Sequence, residues 1–130
     1  SPRQSRKAAN MTTIEVDERN NGSYSGTVYD ESSQVVDLTS VDEIKATLYD
    51  IDTGTIINSR SGQNAKNANQ FTATAQGVFT FAWRPEDQIV IDDSKDVEDH
   101  MLLVVIKWGS GARQVNKQIV FRVSNVRNLV

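Results

Sequence analysis

Met101-Leu102-Leu103-Val104-Val105-Ile106-Lys107-Trp108 is followed at once by Gly109-Ser110-Gly111, and then by the alternating stretch Val115 to Val123. Residues 101–108 are apolar at odd and even positions alike, as a central strand covered on both faces would be. Glycines supply the positive φ angles that a tight hairpin needs. The second stretch alternates, with Val115, Ile119, Phe121 and Val123 on one side and Asn116, Gln118, Val120 and Arg122 on the other. A period of two is the signature of a strand. Lys117 interrupts the apolar side, and a sheet edge is expected there to let its ammonium reach water.

Moving outward, the same period recurs. Ile44, Ala46 and Leu48 alternate with Lys45, Thr47 and Tyr49, while Phe79, Phe81 and Trp83 alternate with Val78, Thr80 and Ala82. Asp52-Thr53-Gly54 reads as a turn after the first of these. Weaker strands are expected over 11–17, 23–29, 35–38 and 54–59. No window of a dozen residues carries helical apolar spacing, so one helical turn over 92–99, capped by Ser94, is the most helix expected. Residues 60–70 are polar and Asn-rich, and read as a loop that is either mobile or an interaction surface. Short strands with frequent turn signals argue for a β-sandwich over a doubly wound α/β sheet.

The chain has 130 residues, 38% hydrophobic and 24% charged, enough for one domain with a core. Its apolar runs fall far short of the ~20 residues that span a bilayer, and the basic N-terminus lacks the apolar block of a secretory signal. Cysteine is absent, which removes disulfides, thiolate metal sites and thiol nucleophiles together. Net charge is −3 but segregated. Residues 1–10 hold Arg3, Arg6 and Lys7 with no acid, 85–99 hold seven acids against Lys95 alone, and 101–130 hold five bases and no acid. Such blocks either dock on a complementary surface or neutralise one another across strands.

Chemistry finds little footing. His100 is the only histidine, and no G-x-S-x-G elbow accompanies any serine, so a nucleophile triad is not expected. The acids cluster in polar turns, where solvation keeps carboxylates ordinary. Asp50-Ile51-Asp52-Thr53-Gly54 lacks the third acid and bidentate Glu of a calcium loop, and Asp92, Asp93, Asp96 and Asp99 read as a solvated acidic turn. Phosphate-binding glycine motifs are missing. Trp83 and Trp108 read as core rather than as stacking platforms for bases or sugars. No enzyme activity, cofactor, metal, nucleic acid or membrane partner is therefore expected.

Several segments fall in a recognisable order. Gly26-Thr27-Val28-Tyr29-Asp30-Glu31 leads to Val36-Asp37-Leu38-Thr39, then to the strand Ile44–Tyr49. Gly77-Val78-Phe79-Thr80-Phe81-Ala82-Trp83 runs into Pro85-Glu86-Asp87, and an acidic loop precedes the final hairpin. Over about residues 23–123 this pattern resembles the small immunoglobulin-like domains of tailed-bacteriophage structural proteins, including the N-terminal domain of baseplate upper proteins. The resemblance implies an all-β, immunoglobulin-like antiparallel β-sandwich of about seven strands, placed at 11–130, while the composition of residues 1–10 reads as an extended basic arm outside it. The chain departs from the pattern at Glu98-Asp99-His100-Met101, where the family has Gly-x-Tyr. It also ends at Val130, where many members continue into a stalk or receptor-binding domain.

The expected role is a non-enzymatic virion protein, a capsid decoration, neck or tail-adaptor subunit assembled in the host cytoplasm. It would be present in many copies or as a homo-oligomer, and would contact major capsid, neck or tail subunits. Arg3, Arg6 and Lys7 of the arm, and Asn64, Lys66 and Asn67 of the polar loop, are the expected contact residues. The competing expectation is a carbohydrate-binding or surface-adhesion module, which needs solvent-exposed Trp83 or Trp108.

Overall fold

A computed structural model of the protein describes residues 11–129, with side chains described through residue 127. Eight strands, β1 (Met11–Asp17), β2 (Gly22–Thr27), β3 (Glu43–Asp50), β4 (Gln63–Asn64), β5 (Phe71–Ala73), β6 (Val78–Trp83), β7 (Val97–Trp108) and β8 (Arg113–Ser124), form two sheets. The larger has the order β1-β8-β7-β3-β4 and the smaller β2-β6-β5. Strands two, five and six thus face strands three, seven and eight, and β4 extends the larger sheet at its edge. This is the immunoglobulin-like sandwich with a variable-type edge strand. Its first strand lies on the larger sheet, parallel to β8, with Met11 beside Gln118 and Asp17 beside Ser124. The immunoglobulin-like sandwich is as expected, and the other strand pairs run antiparallel.

The hairpin β7–β8 is the longest ladder, pairing Val97 with Ser124 through Trp108 with Arg113. Its turn places Gly109, Ser110 and Gly111 all at positive φ. Inward rows run across the large sheet: Leu48, Leu102 and Ile119 form one, Ile44, Ile106 and Val115 another. Phe79, Phe81 and Trp83 point inward from the small sheet to meet them. Phe71 and Phe81 stack at 4.5 Å, while Trp83 and Phe121 meet edge to face across the sheets at 5.1 Å. Such pairs each add about 0.5–1.5 kcal/mol beyond their buried area. In a sandwich without a disulfide, this aromatic cluster ties one sheet to the other.

Several sequence expectations are corrected. Stretches 35–38 and 54–59 are not strands; each contributes one isolated bridge, Tyr29 with Val35 and Tyr49 with Ile56. Asn58 and Ser59 adopt positive φ and bulge out between Ile57 and Arg60, whose backbone groups both bond Leu48 of β3. Residues 92–96 form turns rather than helix, because the Ser94 amide and hydroxyl both bond the Asp92 carboxylate. Short 3-10 turns lie instead at Pro85–Asp87, where proline presets the backbone at its first position, and at Val126–Leu129. Lys117 does not reach water. Gln118 to Ser124 of β8 are flanked by β1 and β7, and the Lys117 side chain crosses the core, its Nζ 3.4 Å from the Thr27 carbonyl on the other sheet.

Candidate functional site

The arm residues Arg3, Arg6 and Lys7 lie outside the described residues. The other expected contact residues are brought together at β4, which holds Asn64, and in the loop that follows it, which holds Lys66 and Asn67, and their polar groups are engaged mostly within the fold. Asn64 Oδ1 accepts the Lys66 amide, and Lys66 Nζ donates to the Val41 carbonyl at 2.9 Å. Asn67 clips both polar groups of Ala73, its Nδ2 donating to the carbonyl and its Oδ1 accepting the amide. These side chains fasten the loop to the sheet edge.

Beneath that loop lies a residue that composition did not single out. Arg60 is buried, with Nε 2.5 Å from Asp87 Oδ1 and Nη2 3.1 Å from Oδ2. Its remaining donors reach Gln63, Gln70 and the Asn69 carbonyl. The guanidinium lies 5.2 Å from the Phe81 ring centre and 5.7 Å from that of Phe71. Asp87 also accepts from Asn58 Nδ2 and the Arg84 amide. One ion pair thereby holds the polar loop, the 3-10 turn and the aromatic core in a single knot. The only sequence signal for it was Pro85-Glu86-Asp87 after Trp83.

The acidic stretch 85–99 is not simply solvated. Glu98 is buried and accepts the Ile91 amide, the Asp92 amide and His100 Nε2, which pins the loop onto β7. Asp93 pairs with Arg127, Asp99 with Arg122, and Arg127 also reaches the buried Glu18. Charge blocks distant in sequence therefore largely neutralise one another. Asp50, Asp87, Glu18 and Glu98 are buried, which corrects the expectation that the acids cluster in solvated turns. His100, the single histidine, is fully buried between β3 and β8 and offers no base to solvent. No group of three or more His, Asp or Glu side chains able to hold a metal ion occurs among the described residues, and none of their helices could cross a membrane.

Neither tryptophan offers a free stacking face. Trp83 is 7% exposed, and half-buried Trp108 is capped by the Arg113 guanidinium 4.9 Å above its ring. Arg113 is held there by Glu31 at 2.5 Å. The exposed aromatic row of a glycan-stacking platform is thus absent among the described residues.

The outward face of the five-stranded sheet differs from an ordinary solvated face. Tyr49, Met101 and Val120 form one row on the side away from the core, with Met101 and Val120 buried and Tyr49 half-buried, and half-buried Leu103 and Val105 continue it along β7. Met11, Ile51 and Val97 are exposed beside them. Charge flanks this strip unequally. Lys45 and Lys107 stand with Glu43 at one end, whereas Glu15, Asp17 and Asp99 stand with Arg122 at the other.

Comparison of the sequence with models of known protein families and with curated proteins returns no match. Among solved structures, the fold is similar to the extracellular domain of the voltage-gated sodium channel β4 subunit, at 12% identity and a TM-score of 0.40. That similarity covers 89% of this chain and 92% of the other. It is also similar to part of the N-terminal four Ig domains of Dscam1 isoform 1.9, at 13% identity and a TM-score of 0.32. There it covers 91% of this chain but 23% of the other, so the chain spans about a quarter of that structure. The immunoglobulin-like assignment stands on the strand order and pairing.

Proposed function

We propose that this protein is a non-enzymatic structural and adhesive module that associates with a second copy of itself through the outward face of its five-stranded sheet. The carrying observation is the outward apolar strip of half-buried Tyr49, Leu103 and Val105 beside exposed Met11, Ile51 and Val97, with unequal charge at its two ends. An isologous two-fold pairing with strands running in opposite directions lays the apolar strip on itself. The same pairing brings the Lys45–Lys107 end of one copy against the Glu15–Asp17–Asp99 end of the other. Charge complementarity then sets the register, and apolar burial provides the affinity.

The finer reading is a subunit of a tailed-phage virion, repeated many times and attached to capsid, neck or tail proteins. It is supported by the sequence pattern over residues 23–123 and by the segregated basic arm, where Arg3, Arg6 and Lys7 meet an acidic neighbour. Weak contacts repeated by symmetry suffice for such attachment.

Sedimentation of the full chain over a range of concentrations tests the self-association. A monomer–dimer equilibrium is expected. Lys107→Glu should weaken it, and adding Glu15→Lys should restore it by exchanging the charges of the two ends. A chain that stays monomeric at every concentration, or a double variant no better than the single one, overturns the pairing. Mass spectrometry of purified particles tests the finer reading: loss of the protein on deleting residues 1–10 supports it, and absence of the full-length protein from particles removes it.

A further inference from the structure

β1 joins the large sheet part-way along β8. Met11 stands beside Gln118, so residues 113–117 of β8 pair with β7 alone among the described residues. Because β1 and β8 run parallel, the N-terminal end of β1 is directed toward the β7–β8 turn. Arg6 precedes Met11 by as many residues as Arg113 precedes Gln118. At about 3.3 Å per extended residue that span is about 17 Å, so the bases of the arm are within reach of the turn.

At that turn lies a groove of about 290 Å³, lined by Asp30, Val35, Asp37, Ser40, Trp108 and Arg113 among others. Exposed Tyr29, bridged to exposed Val35, sets an aromatic ring beside it. Glu31 and Asp42 adjoin the lining residues in sequence, which brings four acids to the groove. Arg113 pairs with Asp30 and Glu31. Asp37 accepts from the Thr39 amide and hydroxyl, and Asp42 from the Gly111 amide. Those neutral donors fix the two carboxylates without cancelling their charge. Lys66 acts on Asp37 only through space, since its Nζ donates to the Val41 carbonyl. The acidic stretch 85–99 offers no rival, because it adjoins the opposite end of β8 and its Asp93 and Asp99 are paired with Arg127 and Arg122.

We propose that this groove is the docking site of the chain's own N-terminal arm, with Arg3, Arg6 and Lys7 set against Asp30, Asp37 and Asp42 and their aliphatic stems against Tyr29 and Val35. Each exposed charge contact contributes only about 0–1 kcal/mol. The short tether compensates, since it holds the bases near the groove at an effective concentration on the order of millimolar. The contact belongs to the free chain and rests on neither the self-association nor the virion attachment proposed above.

The absence of cysteine makes the test direct, because Ser5→Cys gives a single attachment point for a nitroxide spin label. In the isotope-labelled full chain, diluted with unlabelled chain, the nitroxide should broaden the amides of residues 30–42 and the Trp108 indole, and leave those of 92–99 sharp. Raising salt from about 0.01 M to about 1 M shortens the Debye length from about 30 Å to about 3 Å and should abolish the broadening. Replacing Arg3, Arg6 and Lys7 together by Glu should abolish it too, with an unchanged melting temperature, and Asp37→Lys should weaken it. Broadening that is absent, that survives the triple replacement, or that centres on 92–99 overturns the proposal. So does broadening seen only when spin-labelled chain is mixed with isotope-labelled chain lacking the nitroxide, since the arm would then reach a second copy.

Discussion

Among the described residues, two of the places where charged side chains are buried complete their hydrogen bonds to different degrees. Around Arg60 and Asp87, every guanidinium nitrogen and both carboxylate oxygens are engaged, with Asn58, Gln63, Gln70 and the Arg84 amide as further partners. Around His100, only part of the capacity is used. Glu98 takes three donors, but His100 Nδ1 and Asp50 Oδ1 have no partner, although their residues stand directly opposite on β7 and β3. Gln88 and Asn125 add further unpartnered buried atoms. A fully satisfied ionic cluster acts as a rigid fastener, whereas a partly satisfied one is a place where water or a proton finds its partners.

That difference can be broken most forcefully at the first cluster. Asp87→Ala leaves the buried Arg60 guanidinium unpaired, so unfolding free energy in urea should drop by about 3–5 kcal/mol. The loss should be accompanied by faster amide exchange in both the 57–70 loop and the 85–87 turn, because one carboxylate holds both. A loss below about 1 kcal/mol, in the range of an exposed pair, would show that the knot is far less buried than its geometry indicates.

The second cluster should respond more mildly. His100→Leu removes the unpartnered Nδ1 along with the bond to Glu98, which keeps its two backbone donors. A cost of about 1–2 kcal/mol is expected, smaller than at Asp87. Equal losses at the two positions would erase the distinction drawn between them.

The smallest effect concerns pH and lies at the surface. Hydrogen bonds from the Thr39 side chain and amide hold the Asp37 carboxyl below its ordinary value of 3.8, and the Gln34 amide does the same for Asp30. A depressed folded value means that each contributes stability fully present above pH 3.8 and lost as pH falls through the folded value. Stability should therefore decline with acidification below pH 3.8, and Asp37→Asn should flatten that decline slightly. An unchanged decline in the variant would show that Asp37 does not contribute to it.

Much of the architecture was legible in the chain because strands announce themselves locally. The alternation at 44–49, 78–83 and 115–123 and the glycine turn at 109–111 concern neighbours in sequence, and all three strands and the hairpin are present. β5 was missed, since three residues, Phe71 to Ala73, are too few to show a period. The expected contact residues Asn64, Lys66 and Asn67 were read from polarity alone, and polarity does not reveal whether a side chain faces solvent or fastens its own loop.

The sequence by itself determined the sandwich class, the β7–β8 hairpin and the inward aromatic row, because each follows from side-chain period and turn chemistry along a continuous stretch. Only the tertiary structure decided that β1 runs parallel to β8, that Arg60 meets Asp87, that Lys117 turns into the core and that the Trp83 N–H is buried unpartnered. Those outcomes depend on which distant segments the closing of two sheets brings together, and on the requirement that polar groups buried in the closing find partners where they can.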